Sequence, residues 1–270
     1  TGNYIEEIQI GSANATENRI IGNEIGRLPD GKVVPGGTES QGIVITDSSS
    51  ANTIGGSSLE ETNGISSGGA AIEINQGAHH NIITGNDIAL SETGVLILNA
   101  SDNRVGGINL SIGKIEGNNF EDNESGIIIS EAASVRDSTP SPSTVDLSQV
   151  REMFEAQAGT ASARNKVFGN VFSVSDPAPK ELTNAITVLT AEDTLVGAVN
   201  RGNTIVEQTN AAIVVGNQAV RTIIEDNLIG LGPNGTARPN LDGIRLAGSG
   251  TTVRNNVISG NTETGIVINR

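Results

Sequence analysis

Residues 18–25 read NRIIGNEI, residues 81–88 NIITGNDI and residues 165–172 NKVFGNVF, one pattern of Asn-x-aliphatic-x-x-Asn-x-apolar written three times. Three further segments, GKIEGNNF (113–120), TIIEDNLI (222–229) and TTVRNNVI (251–258), keep the second Asn and the apolar positions and lose the first Asn. A second pattern alternates with it: Gly or Ala followed by aliphatic-x-aliphatic, beginning at Gly42, Ala71, Gly94, Gly126, Ala185, Ala212, Gly243 and Gly265. From the second Asn to the next Gly is eight residues after Asn86 and Asn118, nine after Asn256, sixteen after Asn227 and nineteen after Asn23. A basic unit therefore exists, and some copies carry an insertion at one corner.

Each unit holds two or three strands of a few residues, too little to bury anything alone. Stacking the units solves this: inward Ile, Val and Leu of successive coils form one aliphatic core, and each backbone bonds to the coils above and below. The reading is an all-β parallel β-helix of roughly ten coils, with Asn side chains stacked into ladders at the corners and their backbones in left-handed angles.

Composition agrees. The 270 residues contain no Trp, one Tyr, four Phe and one Met, so the apolar content is β-branched or small, which suits strands and a narrow layered interior. Thirty-four Gly imply many tight turns. Sixteen Lys and Arg against thirty-one Asp and Glu give a net charge of −15, a field that repels nucleic acid and anionic lipid. No apolar run approaches the roughly 18–20 residues that span a bilayer, so no direct membrane insertion is expected. Without Cys there are no disulfides and no thiolate metal sites.

NRIIGNEIG (18–26), NIITGNDI (81–88) and NNVISGNTETGIVI (255–268) resemble the repeats of right-handed parallel β-helix proteins, the pectate-lyase-like superfamily, and most of all repeat segments of large bacterial surface or secreted proteins. The resemblance covers nearly the whole chain except about 131–163. It implies a right-handed coil and an extracellular or cell-surface location, and it leaves activity open, since the superfamily includes lyases, hydrolases, epimerases, spikes and stalks. The chain opens on Thr1 and closes on a strand in GIVINR. The expectation is one domain over 1–270 that is a segment of a longer protein, its last coil covered by another module or a partner.

Two decorations repeat. PDGK (29–32) and PNGT (233–236) are Asp-Gly and Asn-Gly turns between short extended pieces, and predict hairpins protruding from a corner. Residues 131–163 do not repeat: a Ser, Thr and Pro-rich stretch precedes DLSQVREMFEAQAG (146–159), which reads as a helix capped by Asp146 and stopped by Gly159. Leu147, Val150, Met153 and Phe154 share one face of it. In the aliphatic-x-aliphatic strands the middle residue points away from the core, giving Val44, Glu73, Leu96, Ile128, Thr187, Val214, Arg245 and Val267. Leu96 and Ile128 are expected to lie under the helix, with a ligand lid or a docking site for another chain as the alternatives.

For catalysis, enzymes that resemble this fold place acids and bases on the outer face of a parallel sheet. The paired aspartates near Gly-His-Gly of the hydrolases, and the Asp-Pro-His of the alginate epimerases, are both absent. The candidates that remain are Glu73, the adjacent His79 and His80, Asp87, Glu92 and Asp122. Structural calcium is a further possibility, with Asp30, Asp122, Asp226 and Asp242 as oxygen donors at the corners; no other cofactor is implied. The sequence favours a non-enzymatic extracellular repeat module acting as stalk, adhesin or scaffold, with flanking modules, a surface polysaccharide or a protein as partners. A carbohydrate-active lyase, hydrolase or epimerase and a homo-oligomeric spike are its rivals.

Overall fold

The computed structural model describes residues 4–27, 41–109, 114–115, 117–131, 162–173 and 184–269. Three parallel sheets run along the molecule, two of nine strands and one of eight, and every strand between the two edges of a sheet pairs with the strands one coil earlier and one coil later. The chain visits the sheets in a fixed order. In the fourth coil, for example, Asp87–Ala89 lies in the first sheet, Thr93–Leu98 in the second and Arg104–Val105 in the third. Nine coils are described, and the protein is a parallel β-helix. Among the described residues helix is confined to one turn, Leu59–Glu61.

The registers stack like on like. In the first sheet Ile25, Ile65, Ile88, Phe120, Phe172, Ile205 and Ile229 form one inward column, with Phe120 and Phe172 stacked 4.7 Å apart at 10°. The second sheet adds two such columns, running through Ile72, Val95, Ile127 and Ile186 and through Ile74, Ile97, Ile129 and Val188. All belong to one continuous core.

The Gly or Ala that opens the second-sheet strands has a steric origin. A Cβ on Gly94 would sit 2.6 Å from the Gly126 carbonyl oxygen and 2.7 Å from the Phe120 ring, and one on Gly126 would sit 2.4 Å from the Ala185 carbonyl oxygen. At Gly94 and Gly126 even a methyl would press into the neighbouring coil.

Two ladders pin the corners of the third sheet. On the side leading to the first sheet, Asn23, Asn63, Asn86, Asn118, Asn170, Asn203, Asn227 and Asn256 form an unbroken stack. In it the backbone N–H and Nδ2 of Asn86 both donate to Asn118 Oδ1 at 3.1 and 2.9 Å, and Asn118 repeats this onto Asn170 at 3.0 and 3.0 Å. On the side leading from the second sheet, Asn18, Asn52 and Asn81 do the same onto Asn52, Asn81 and Asn103, and the backbone N–H of Asn103 donates to Asn165 Oδ1. There the asparagines end, and Thr194, Thr222 and Thr251 continue the column, with hydroxyls that are buried and without hydrogen-bond partners.

The ladder asparagines themselves are not in left-handed angles, contrary to expectation. In the second column that conformation falls on the residue just before each: Glu17, Ala51, His80, Asp102, Arg164, Asp193, Arg221 and Gly250, with φ between 52° and 65°. The asparagine is thereby freed to keep an extended backbone whose N–H points along the stack.

The hairpin expected at PNGT is present. Leu231 and Ala237 pair antiparallel, and Gly235, at φ 75°, donates its N–H to the Gly232 carbonyl at 2.9 Å. Arg238 clamps it to the preceding coil through Glu207 at 2.9 and 2.5 Å. It projects between the first-sheet strand Leu228–Ile229 and the second-sheet strand Asp242–Leu246. PDGK lies outside the described residues, as do Asp30, the helix expected over 146–158 and its Val150, Met153 and Phe154. The described ends of that insertion are tied together, Ser162 Oγ donating to the Ser130 carbonyl at 2.6 Å.

Replacing Asn118 by Ala removes the acceptor of two buried donors on Asn86 together with two bonds that Asn118 makes itself. The expected loss is roughly 2–4 kcal/mol, measured by urea unfolding. Asn119→Ala, one residue on, removes only an exposed bond to Asp87 and changes stability by less than about 0.5 kcal/mol.

Candidate functional site

The outer face of the second sheet is where the chain places its most unusual polar group. Glu73 projects from the middle of Ala70–Ile74 and is 1% exposed. Gln41 donates Nε2 to Glu73 Oε2 at 3.2 Å, and Asn75 donates Nδ2 to Oε1. Two oxygens nearby are buried without a hydrogen-bond partner, Thr46 Oγ1 and Asn75 Oδ1. Thr46 and Asn75 each stand one position beyond the paired Ile45 and Ile74, on neighbouring coils. The cluster is rich in acceptors, and it suits a ligand that brings hydroxyl or ammonium donors.

Beside Glu73 this face is apolar at Leu96 and Ile128, and farther on it carries Thr187 and Arg245. Ala70, Leu96 and Leu98 form a small cluster of their own with Ile128 packed on it, separate from the interior core. Alternation therefore gave the direction of Leu96 and Ile128 correctly. Leu96 is 8% exposed, and Val44 and Val214, on the same outward column, are 7% and 3% exposed; the helix expected to lie over Leu96 and Ile128 is outside the described residues. At the C-terminal end Asp242 and Arg245 pair at 2.6 Å, and Asp242 Oδ1 also accepts the Thr264 N–H.

The other candidates lie elsewhere on the coil. Asp87 is on the first sheet, accepting from Asn119 at 3.0 Å. Glu92 and Asp122 sit at the corner between first and second sheets, Glu92 exposed and Asp122 buried at φ 55°. His79 and His80 sit at the opposite corner, between second and third sheets. Nothing gathers the acids and the histidines at one point. The expected calcium donors are likewise spread: Asp226, which accepts the Asn200 N–H at 2.8 Å, follows a third-sheet strand, whereas Asp122 follows a first-sheet strand and Asp242 opens a second-sheet strand. Among the described residues no three His, Asp or Glu side chains are grouped so as to hold a metal.

Sequence reasoning missed a line of alternating charge beside the second ladder. His80, Asp102, Arg164, Asp193 and Arg221 occupy the left-handed position of five consecutive coils. Arg164 bridges Asp102 through both oxygens at 2.8 and 2.6 Å, and Arg221 bridges Asp193 at 2.6 and 3.0 Å while also reaching Glu192 at 2.8 Å. The hydrogen bonds from Arg164 hold the Asp102 carboxyl below its ordinary range, and those from Arg221 do so for Asp193. Burial raises Glu131, with Glu192 nearby adding to the effect. The signal in sequence is the residue before each ladder Asn or Thr.

No family model matches the chain, and no curated protein is similar to it. Among solved structures, the periplasmic alginate epimerase AlgG superposes over 85% of this chain and 48% of its own, at 13% identity and a TM-score of 0.42. The chain thus spans about half of that protein's length.

The lowered Asp102 fixes a sign. Its contribution is complete above its ordinary value of 3.8 and is lost as pH falls through the lower folded value. Arg164→Met is expected to lower the urea midpoint slightly at pH 7. That difference from wild type closes as pH falls through the folded-state value of Asp102 and shrinks in 0.5 M salt, as an exposed pair requires.

Proposed function

We propose that the chain is a non-enzymatic repeat module of an extracellular or cell-surface protein, serving as stalk, adhesin or scaffold. The observation that carries this reading is the dispersal of its acids and bases. Glu73, Asp87, Glu92 and the His79–His80 pair lie on four different faces or corners of the coil, whereas acid–base chemistry needs its groups within hydrogen-bond reach of one substrate atom. The near absence of aromatic rings also removes the stacking platforms on which sugars are usually held. Its partners on this reading are flanking modules of the same protein, a surface polysaccharide or another surface protein.

One observation favours a carbohydrate-active enzyme as the second reading: the buried Glu73 carboxylate, with the unbonded oxygens of Thr46 and Asn75 beside it. A homo-oligomeric spike is the third reading; an exposed aliphatic ladder would favour it, and Val44, Leu96 and Val214 are buried within the chain.

The purified chain is to be incubated with uncharged, cationic and anionic polysaccharides, and the products examined for new reducing ends, unsaturated sugars and inverted stereocentres. The module reading expects none above a boiled control. Turnover that Glu73→Gln abolishes by at least about 100-fold, the scale of a lost acid or base, replaces that reading with the enzymatic one.

A further inference from the structure

The two histidines carry an arrangement that neither reading uses. His79 Nδ1 and His80 Nδ1 are 2.8 Å apart, with the rings 5.0 Å apart at 85°. Adjacent residues on a strand would send their side chains to opposite faces, and they converge here because His80 takes φ 57° at the corner. The backbone on both sides is fixed: His79 bridges Ser50 and Ser101 in the neighbouring coils, and Asn81 is the third rung of the second ladder. With neutral rings, one Nδ1–H donates to the other Nδ1.

Two imidazoles converging at a fixed corner can also turn their Nδ1 lone pairs onto one metal ion. The 2.8 Å separation is that of the hydrogen bond between them and sets no ligand angle. Imidazole nitrogen suits copper(II), the divalent ion that N-donor sites bind most tightly. We propose that His79 and His80 form a copper(II) site at the corner between the second and third sheets, with water in the remaining positions. On binding, the single Nδ1 proton moves through solvent to Nε2 of the same ring, so that both Nδ1 lone pairs face the metal. Asp102, one coil on from His80, is engaged through both oxygens by Arg164 and is not a ligand. The chain's charge of −15 raises the local cation concentration.

The test is a titration of the untagged chain with copper(II) against glycine as competitor, followed by electron paramagnetic resonance. The expected result is one copper per chain with two imidazole nitrogens in the spectrum, and zinc bound at least tenfold more weakly. His79→Ala and His80→Asn each weaken copper at least tenfold. Asn tolerates the angle at position 80, as Asn99 and Asn200 do at φ 49° and 58°, so His80→Asn keeps the fold if His79→Ala does not. Copper affinity unchanged in His80→Asn, or a spectrum whose nitrogens come only from the terminal amine and backbone amides, overturns the proposal.

Discussion

The distance between neighbouring strands, about 4.8 Å, is the constraint on which everything else in this molecule rests. Once a coil is laid on the one before it at that spacing, each side chain meets its counterpart from the adjoining coils and little else. An aliphatic residue then stacks on an aliphatic, and an Asn can place its amide oxygen against both the side-chain and backbone N–H of the Asn one coil earlier. A bulky side chain at the Gly94 or Gly126 position is excluded by a carbonyl of the next coil. The repeat visible in the chain is this geometry written as composition.

That is why so much of the fold was legible. The Asn of NRIIGNEI and NIITGNDI are rungs of the two ladders, the first Asn of each on one column and the second on the other. Asn52, Asn63, Asn103 and Asn203 belong to the same columns but lie outside the full pattern, in stretches such as NTIGG and NRVGG, where the following strand is only two residues long. The left-handed angles were misplaced by one residue because Asn tolerates that angle well, and tolerance is not requirement; here charged residues and even Ala51 take it instead.

The surface was harder to read, for a physical reason. Coil lengths differ, so residues that touch are separated by irregular intervals: Arg164 meets Asp102 across 62 positions, and Arg221 meets Asp193 across 28. Pattern matching finds the core, where composition is constrained, and passes over pairs whose only regularity is a place on the coil. Strand alternation likewise gave the side on which Glu73 and Leu96 project and could not give their burial. The candidate acids were chosen by type and proximity in sequence, and a solenoid distributes such neighbours around its perimeter rather than collecting them.

The second ladder changes character at Thr194, where amides that satisfy the coil before them give way to hydroxyls bonded to nothing. A stack of near-identical layers held mainly by nearest neighbours has no single melting event; each layer's hold on the next decides where it parts. The C-terminal coils are therefore joined by one asparagine ladder, through Asn203, Asn227 and Asn256, and the earlier coils by two, so the hold between layers is weaker toward the C-terminal end.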